Sequence, residues 1–254
     1  MTVTLSAPRR SVHPDHLGAF KFLSVGRTHV GHVRELNEDA LLNRPEIGLW
    51  AIADGMGGHM SGDVASASVV EALGGVRTFS SAYAFRDAAT RALLSVNAEL
   101  VAQAGASKSG STVVALLAHE GHYACLWAGD SRAYLSRSGV MRPLTRDHSV
   151  VQDLVDSGVI APEQASRHPQ ANLITRAVGA CDALELDYAF GALCAGDRFL
   201  LCSDGLSGFV TEAEIAHAMR RSPLEWAAQS LIDLALSRGG RDNVTVVLVS
   251  AERR

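Results

Sequence analysis

Lysine is almost absent: Lys21 and Lys108 are the only two in 254 residues, and every other fixed cation is Arg. The net charge of −4 gives no basic excess to recruit a nucleic acid. No apolar run approaches the roughly 20 residues that cross a bilayer. The stretch around Arg9 and Arg10 lacks the apolar core of a signal peptide. Four cysteines, Cys125, Cys181, Cys194 and Cys202, show no paired spacing, which argues against a disulfide framework and against zinc. Three of them lie in apolar runs and read as buried thiols of a reducing compartment. Internal repeats and low-complexity linkers are also missing. These absences predict a soluble cytoplasmic protein, by default a monomer, with no nucleic-acid or membrane partner.

What is present is a large apolar fraction, 47%, enough for a packed core. Residues 1–18 read as a flexible tail and 19–254 as one domain. Short strand-like runs at 20–31 and 41–53 precede two helical patterns, 61–79 and 85–104, with Asp63 and Asp87 in their first turns. Strands at 111–118, 122–128 and 132–137 are joined by short turns, which favours antiparallel pairing. Residues 146–172 break the rhythm with a short helix at 149–157; long irregular segments of this kind commonly serve binding or access. Strands at 184–190 and 198–203 follow, then helices at 211–219 and 223–237, and a last strand at 244–249. Thr211 with Glu214 is a capping-box pattern, and Trp226 fits the buried face of its helix. The order predicts a layered α+β fold with antiparallel sheets inside.

Twice an apolar run drives into Asp-Gly: residues 49–53 before Asp54-Gly55, and residues 199–203 before Asp204-Gly205. Each carboxylate then stands at a strand exit, where glycine lets the backbone turn sharply. Either alone is an ordinary turn. Glu38, Asp39, Asp130 and Asp242 are further acids at strand ends or turns beside Gly or Asn. Such an oxygen-rich set suits Mg²⁺ or Mn²⁺ better than zinc. Two such ions about 3.5–4 Å apart can share a carboxylate and activate a bridging water for in-line attack on phosphorus. Arg34, just upstream, is positioned in sequence to hold phosphate oxygens.

Six motifs occur in a fixed order: Arg34-Glu35-Leu36-Asn37-Glu38-Asp39-Ala40, Ala53-Asp54-Gly55-Met56-Gly57-Gly58-His59, Ser109-Gly110-Ser111-Thr112, Gly129-Asp130-Ser131-Arg132-Ala133-Tyr134, Ser203-Asp204-Gly205-Leu206 and Asp242-Asn243-Val244-Thr245. From about residue 20 to 251 the chain resembles the metal-dependent serine/threonine protein phosphatases of the PP2C (PPM) family, in their bacterial form. The resemblance implies a four-layer α-β-β-α sandwich around two antiparallel sheets. It implies hydrolysis of phosphoserine and phosphothreonine on proteins that are targets of a Ser/Thr kinase. Attack is by a metal-bridging water at a binuclear Mn²⁺ or Mg²⁺ centre. Asp54 then bridges both ions, the Gly55 carbonyl binds the second, and Asp204 and Asp242 complete the first. Glu38 and Asp39 act through metal-bound water, Asp130 with Asp204 holds a third ion, and Arg34 takes the phosphate. Residues 146–172 match the family's flap.

Two departures bear on mechanism. Met56 stands where eukaryotic relatives place a His that protonates the leaving group; His59, three residues on, is the candidate general acid, against the plainer reading of a loop histidine. Ala171, within His168-Pro169-Gln170-Ala171-Asn172, stands where a similar flap motif often carries Arg. Several residues read as structural: Asp147, bonding its own turn; Asp197; core Trp50 and Trp127; and Ser111 and Thr112, tightening a strand start. His13, His16, His29, His32, His119, His122 and His217 fall mostly at surface or turn positions. A catalytically silent phosphoprotein-binding relative and a small-molecule phosphoesterase remain the rival readings.

Overall fold

A computed structural model describes residues 17–57, 62–77, 80–103 and 109–254. Strands β1 (Phe20–His29), β2 (Asp39–Arg44) and β3 (Leu49–Gly57) lead to helices α1 (Gly62–Gly74) and α2 (Ala82–Gln103). Strands β4 (Ser109–Ser111), β5 (Val113–His119), β6 (His122–Ala128), β7 (Arg132–Arg137) and β8 (Val140–Pro143) form the middle. Helices α3 (Val150–Asp156) and α4 (Pro162–Ala165) precede β9 (Asp187–Ala192) and β10 (Arg198–Cys202). The chain closes with α5 (Asp204–Ser207), α6 (Glu212–Met219), α7 (Leu224–Ser237) and β11 (Val244–Arg253).

One antiparallel sheet has the order β1-β11-β10-β7-β8; the other runs β2-β3-β5-β6-β9, with β4 added to β3. Alternation along the strands decides the layers. Trp50, Ile52, Val114 and Leu116 face Phe199, Leu201, Val247 and Val249 between the sheets. Their neighbours Leu49, Ala51, Ala53, Val113 and Ala115 face outward onto Val69, Leu73, Leu93 and Val96 of α1 and α2. On the opposite side Leu200, Cys202, Val246 and Leu248 pack against Ile215, Leu231 and Ile232 of α6 and α7. Both sheets are therefore covered on both faces, and their strands read as near-continuous apolar runs. The result is the expected α-β-β-α sandwich.

Several local expectations are corrected. Leu17, assigned by sequence to the tail, is buried in the layer between the sheets; residues 1–16 lie outside the described residues. Helix α2 begins at Ala82, earlier than predicted, because Ser81 accepts the Ala84 N–H and its carbonyl accepts that of Phe85. Asp87 consequently falls beyond the first turn. Trp226 is 74% exposed, because the buried stripe of α7 runs through Leu224, Ala227, Ala228, Leu231, Ile232 and Ala235. Cys125 and Cys202 are buried, whereas Cys181 and Cys194 are exposed. His119 is buried. Asp147 does not cap its own turn; both its oxygens accept from Arg132, at 2.8 and 2.7 Å. Thr211 and Glu214 do form the capping box of α6. Among the described residues no helix is long and apolar enough to cross a membrane.

Candidate metal centre

Asp39 and Asp54 are direct cross-strand partners in the β2–β3 ladder. Like charges in that position repel, so the pair opposes sheet stability unless a cation or protons intervene. The Asp54 main chain is fixed from β5's side: its N–H donates to Thr112 Oγ1 at 3.0 Å, and its carbonyl accepts from Thr112 N at 2.9 Å and Ser111 Oγ at 3.1 Å. Ser111 and Thr112 thus do more than tighten a strand start.

Asp54 is not at a strand exit. Strand β3 continues to Gly57 by exchanging β2 and β5 for β4. The glycine after Asp54 is required by crowding: a Cβ on Gly55 would lie 2.0 Å from the Gly62 carbonyl oxygen. The Gly55 N–H donates to the Glu38 carbonyl at 3.0 Å, which brings Glu38 to the same place. Asp204 likewise opens a short helix, α5, instead of a plain turn. A Cβ on Gly205 would lie 1.9 Å from the Asn243 carbonyl oxygen, so α5 and the segment before β11 touch through backbone.

Asn243 organises the remaining loop. Its Oδ1 accepts the Glu38 N–H at 2.7 Å, and its Nδ2 donates to the Val30 and Leu36 carbonyls at 2.8 and 2.9 Å. This anchors residues 30–38 beside Asp242. Sequence marked the position only through the Asp-Asn juxtaposition; the anchoring role, whose partners lie more than 200 residues away, was not visible there.

These elements enclose a cleft of about 220 Å³ lined by Arg34, Glu38, Asp54, Gly55, Met56, Asp130, Asp204, Asp242 and Asn243, and also by Asn172 and Ile174. Asp39 lies beneath, buried, with Ser203 Oγ donating to its Oδ2 at 2.8 Å. His59 lies outside the described residues, and nothing places it. A larger cavity of about 710 Å³ sits at the His119 end of β5, lined mainly by apolar and aromatic side chains including Leu117, Tyr123 and Phe190. It contains none of the predicted acids.

Burial, then repulsion from Asp39, holds the Asp54 carboxyl well above the usual range. Burial raises Asp39 to about 7, opposed by hydrogen bonds from Thr245 and Ser203. Burial and then Asp204 raise Asp130 to about 7. Burial and then Asp242 raise Asp204. Arg34 supplies positive charge: Nη2 lies 2.8 Å from Asp242 Oδ2, and Nη1 lies 3.9 Å from Glu38 Oε2. Among the described residues no three Asp, Glu, His or Cys side chains are closed into a ready coordination cage. The chemistry nonetheless fits a hard cation. All donors are oxygens, and Asp39 Oδ1 is buried without a hydrogen-bond partner.

The sequence profile of Protein phosphatase 2C matches residues 25–154, half of the chain. The chain belongs to that family. Among curated relatives, the serine/threonine protein phosphatase PstP of Mycobacterium tuberculosis is 41% identical over 226 residues, covering 87% of this chain and 43% of PstP. The chain thus spans less than half the length of that relative. The serine/threonine phosphatase stp of Listeria innocua is 36% identical, covering 88% of this chain and 93% of stp. Among solved structures, PppA, described as a key regulatory component of T6SS in Pseudomonas aeruginosa, is 42% identical with a TM-score of 0.85, covering 91% and 98% of the two chains. The PstP catalytic domain, solved with two manganese ions, is 38% identical with a TM-score of 0.82 and coverage of 92% and 99%. Protein phosphatase 2C enzymes are metal dependent, in accord with the oxygen-only donor set of this cleft.

Proposed function

We propose that this protein is a metal-dependent phosphatase that hydrolyses phosphoserine and phosphothreonine on proteins. The observation that carries the reading is Asp54, paired across the strands with the buried Asp39, in one cleft with Asp130, Asp204, Asp242 and Arg34. Fold likeness alone would not suffice, because function resides in the site.

Two Mn²⁺ or Mg²⁺ ions, when bound, supply Lewis acidity that activates water and neutralises charge on a phosphoryl group. Asp54 is assigned to both ions, the Gly55 carbonyl to the second, and Asp204 with Asp242 to the first. Asp39 and Glu38 orient water; Ser203 fixes one Asp39 oxygen and leaves the other available. Asp130, on which Asp204 is the strongest acting charge, is assigned with it to a third ion. Arg34 is half-exposed and carries a planar fork of donors, so it can grip two phosphate oxygens and align phosphorus with the acidic floor. Met56 has no proton to give, and His59 is the candidate donor to the leaving group. Residues 146–172 serve as the access flap, and Asn172 at its end lines the cleft. The substrates are proteins phosphorylated by a Ser/Thr kinase, met in the cytoplasm by a monomer.

The test is phosphate release from a phosphothreonine peptide and from an aryl phosphate, with Mn²⁺ and with chelator. Mn²⁺-dependent turnover of both is expected. Turnover of the aryl ester alone would favour a small-molecule phosphoesterase. No turnover in excess Mn²⁺ would favour a silent phosphoprotein-binding module.

A further inference from the structure

His148 is buried and takes no part in the cleft, yet it engages both main-chain groups of Gly129, the residue before Asp130. Its own N–H donates to the Gly129 carbonyl at 2.9 Å, and its Nδ1 accepts the Gly129 N–H at 3.2 Å. Accepting at Nδ1 requires that the ring proton sit on Nε2, which points at Asp187 Oδ2 at 3.2 Å. Arg176 Nη1 holds the other Asp187 oxygen at 2.9 Å. The Trp127 ring stacks on the imidazole, with centroids 6.1 Å apart and planes 14° off parallel. Ring position and tautomer are therefore both fixed.

Gly129 can answer only to such a clamp. Its φ of +113° favours glycine, and a Cβ would meet Thr112 Cγ2 at 2.6 Å. Beyond Asp130, Ser131 Oγ bonds Thr112 Oγ1 at 2.8 Å, the same oxygen that accepts the Asp54 N–H. Asp130 is thus suspended between His148 on one side and the Thr112–Asp54 contact on the other. His148 also lies near the start of the flap: its carbonyl accepts the Thr175 N–H at 2.8 Å, and Ser149 bridges Ile174, which lines the cleft.

We propose that His148 is a positioning residue that aims Asp130 into the cleft and ties that aim to the base of the flap. The inference rests on the assignment of Asp130 to a cation. Outer partners that orient a metal's ligands typically change affinity by about 10–100-fold when replaced.

The experiment is calorimetric titration of the chelator-treated protein with Mn²⁺, together with amide exchange at residues 129–131. His148→Asn keeps an acceptor near the Nδ1 position, whereas His148→Gln keeps a donor near Nε2 and loses that acceptor. The expected result is that His148→Gln weakens, by about 10–100-fold, the binding step that Asp130→Ala abolishes, and speeds exchange at Gly129. His148→Asn should stay close to the parent in both. Asp187→Ala, on the accessible side of the ring, releases the tautomer without opening the core and should shift the same step in the same direction. It serves as the variant of record if His148→Gln does not fold. Loss of a binding step in Asp130→Ala with unchanged titrations in His148→Gln and Asp187→Ala would overturn the positioning role. An Asp130→Ala titration identical to the parent would overturn the assignment of Asp130 itself, and with it the inference.

Discussion

Arg34 Nη2 lies 2.8 Å from Asp242 Oδ2, so the side chain assigned to phosphate holds a carboxylate assigned to a cation. The hydrogen bond that Arg34 donates to Asp242, and the charge of that carboxylate, raise the Arg34 guanidinium above its ordinary range. Half-exposed pairs of this kind contribute little to folding, about 0–1 kcal/mol. Arg34→Ala should therefore leave thermal stability nearly unchanged while raising KM for a phosphopeptide, by roughly tenfold if a bidentate contact of about 1.4 kcal/mol is lost. Steady-state kinetics decide it: an unchanged KM would separate Arg34 from the substrate.

Asp204→Asn should separate stability from activity. Asp204 is raised by burial and by Asp242, so its charged form is costly in the absence of metal. Removing that charge should increase the melting temperature of the chelated protein. The same change removes a proposed cation ligand, and turnover should fall by about 100-fold or more. A variant with near-parental turnover would take Asp204 out of the metal site.

The acids also predict how the metal-free protein responds to pH. Asp39 and Asp130 are raised from 3.8 to about 7 in the folded state. Between those values the folded chain binds more protons than the unfolded chain, so stability falls as pH rises. The contribution is fully present below pH 3.8 and is lost through pH 7. Melting temperature in chelator should drop between pH 5 and 8 by an amount that Asp39→Asn reduces and saturating Mn²⁺ removes. An identical slope in the parent and in Asp39→Asn would show that Asp39 is not the titrating group.

Much of this architecture is legible in one chain because burial on both faces writes itself as unbroken apolar runs, as at 49–53 and 244–249, and helices as spaced stripes. Asp54 and Asp204 are legible because Asp before Gly is conspicuous after such runs. Register is not. That Asp39 lies directly opposite Asp54 follows from the β2–β3 pairing, and no local pattern states it. The same holds for Asn243, whose three partners are more than 200 residues away in sequence, and for His148, whose ring bonds to Gly129 and Asp187 across the fold. Trp226 misleads for the opposite reason: apolar character suggests burial, but one position off the α7 stripe puts it in solvent.

The proton donor has its own test. Met56 lines the cleft and has no ionisable group. If His59 protonates the leaving group, His59→Gln should slow a phosphothreonine peptide, whose alkoxide leaves poorly, far more than an aryl phosphate, whose phenolate needs little help. Equal effects on the two substrates would remove His59 from proton transfer.

Asn243 offers the sharpest separation of scaffold from chemistry, because its side chain is committed to main-chain groups of Glu38, Val30 and Leu36. Asn243→Ala removes three hydrogen bonds from a nearly buried side chain, at about 1 kcal/mol each, and leaves main-chain groups unsatisfied. A loss of roughly 2–4 kcal/mol in unfolding free energy is expected. Asn243→Asp keeps the acceptor for the Glu38 N–H but gives up both donated bonds and adds a sixth Asp beside Asp39, Asp54, Asp130, Asp204 and Asp242. It should therefore be no better than Ala without metal and should recover more than Ala when Mn²⁺ is added. Denaturant melts with and without Mn²⁺ read this directly: equal recovery in the two variants would mean that added charge at 243 is not felt by the metal, and that the anchor acts through geometry alone.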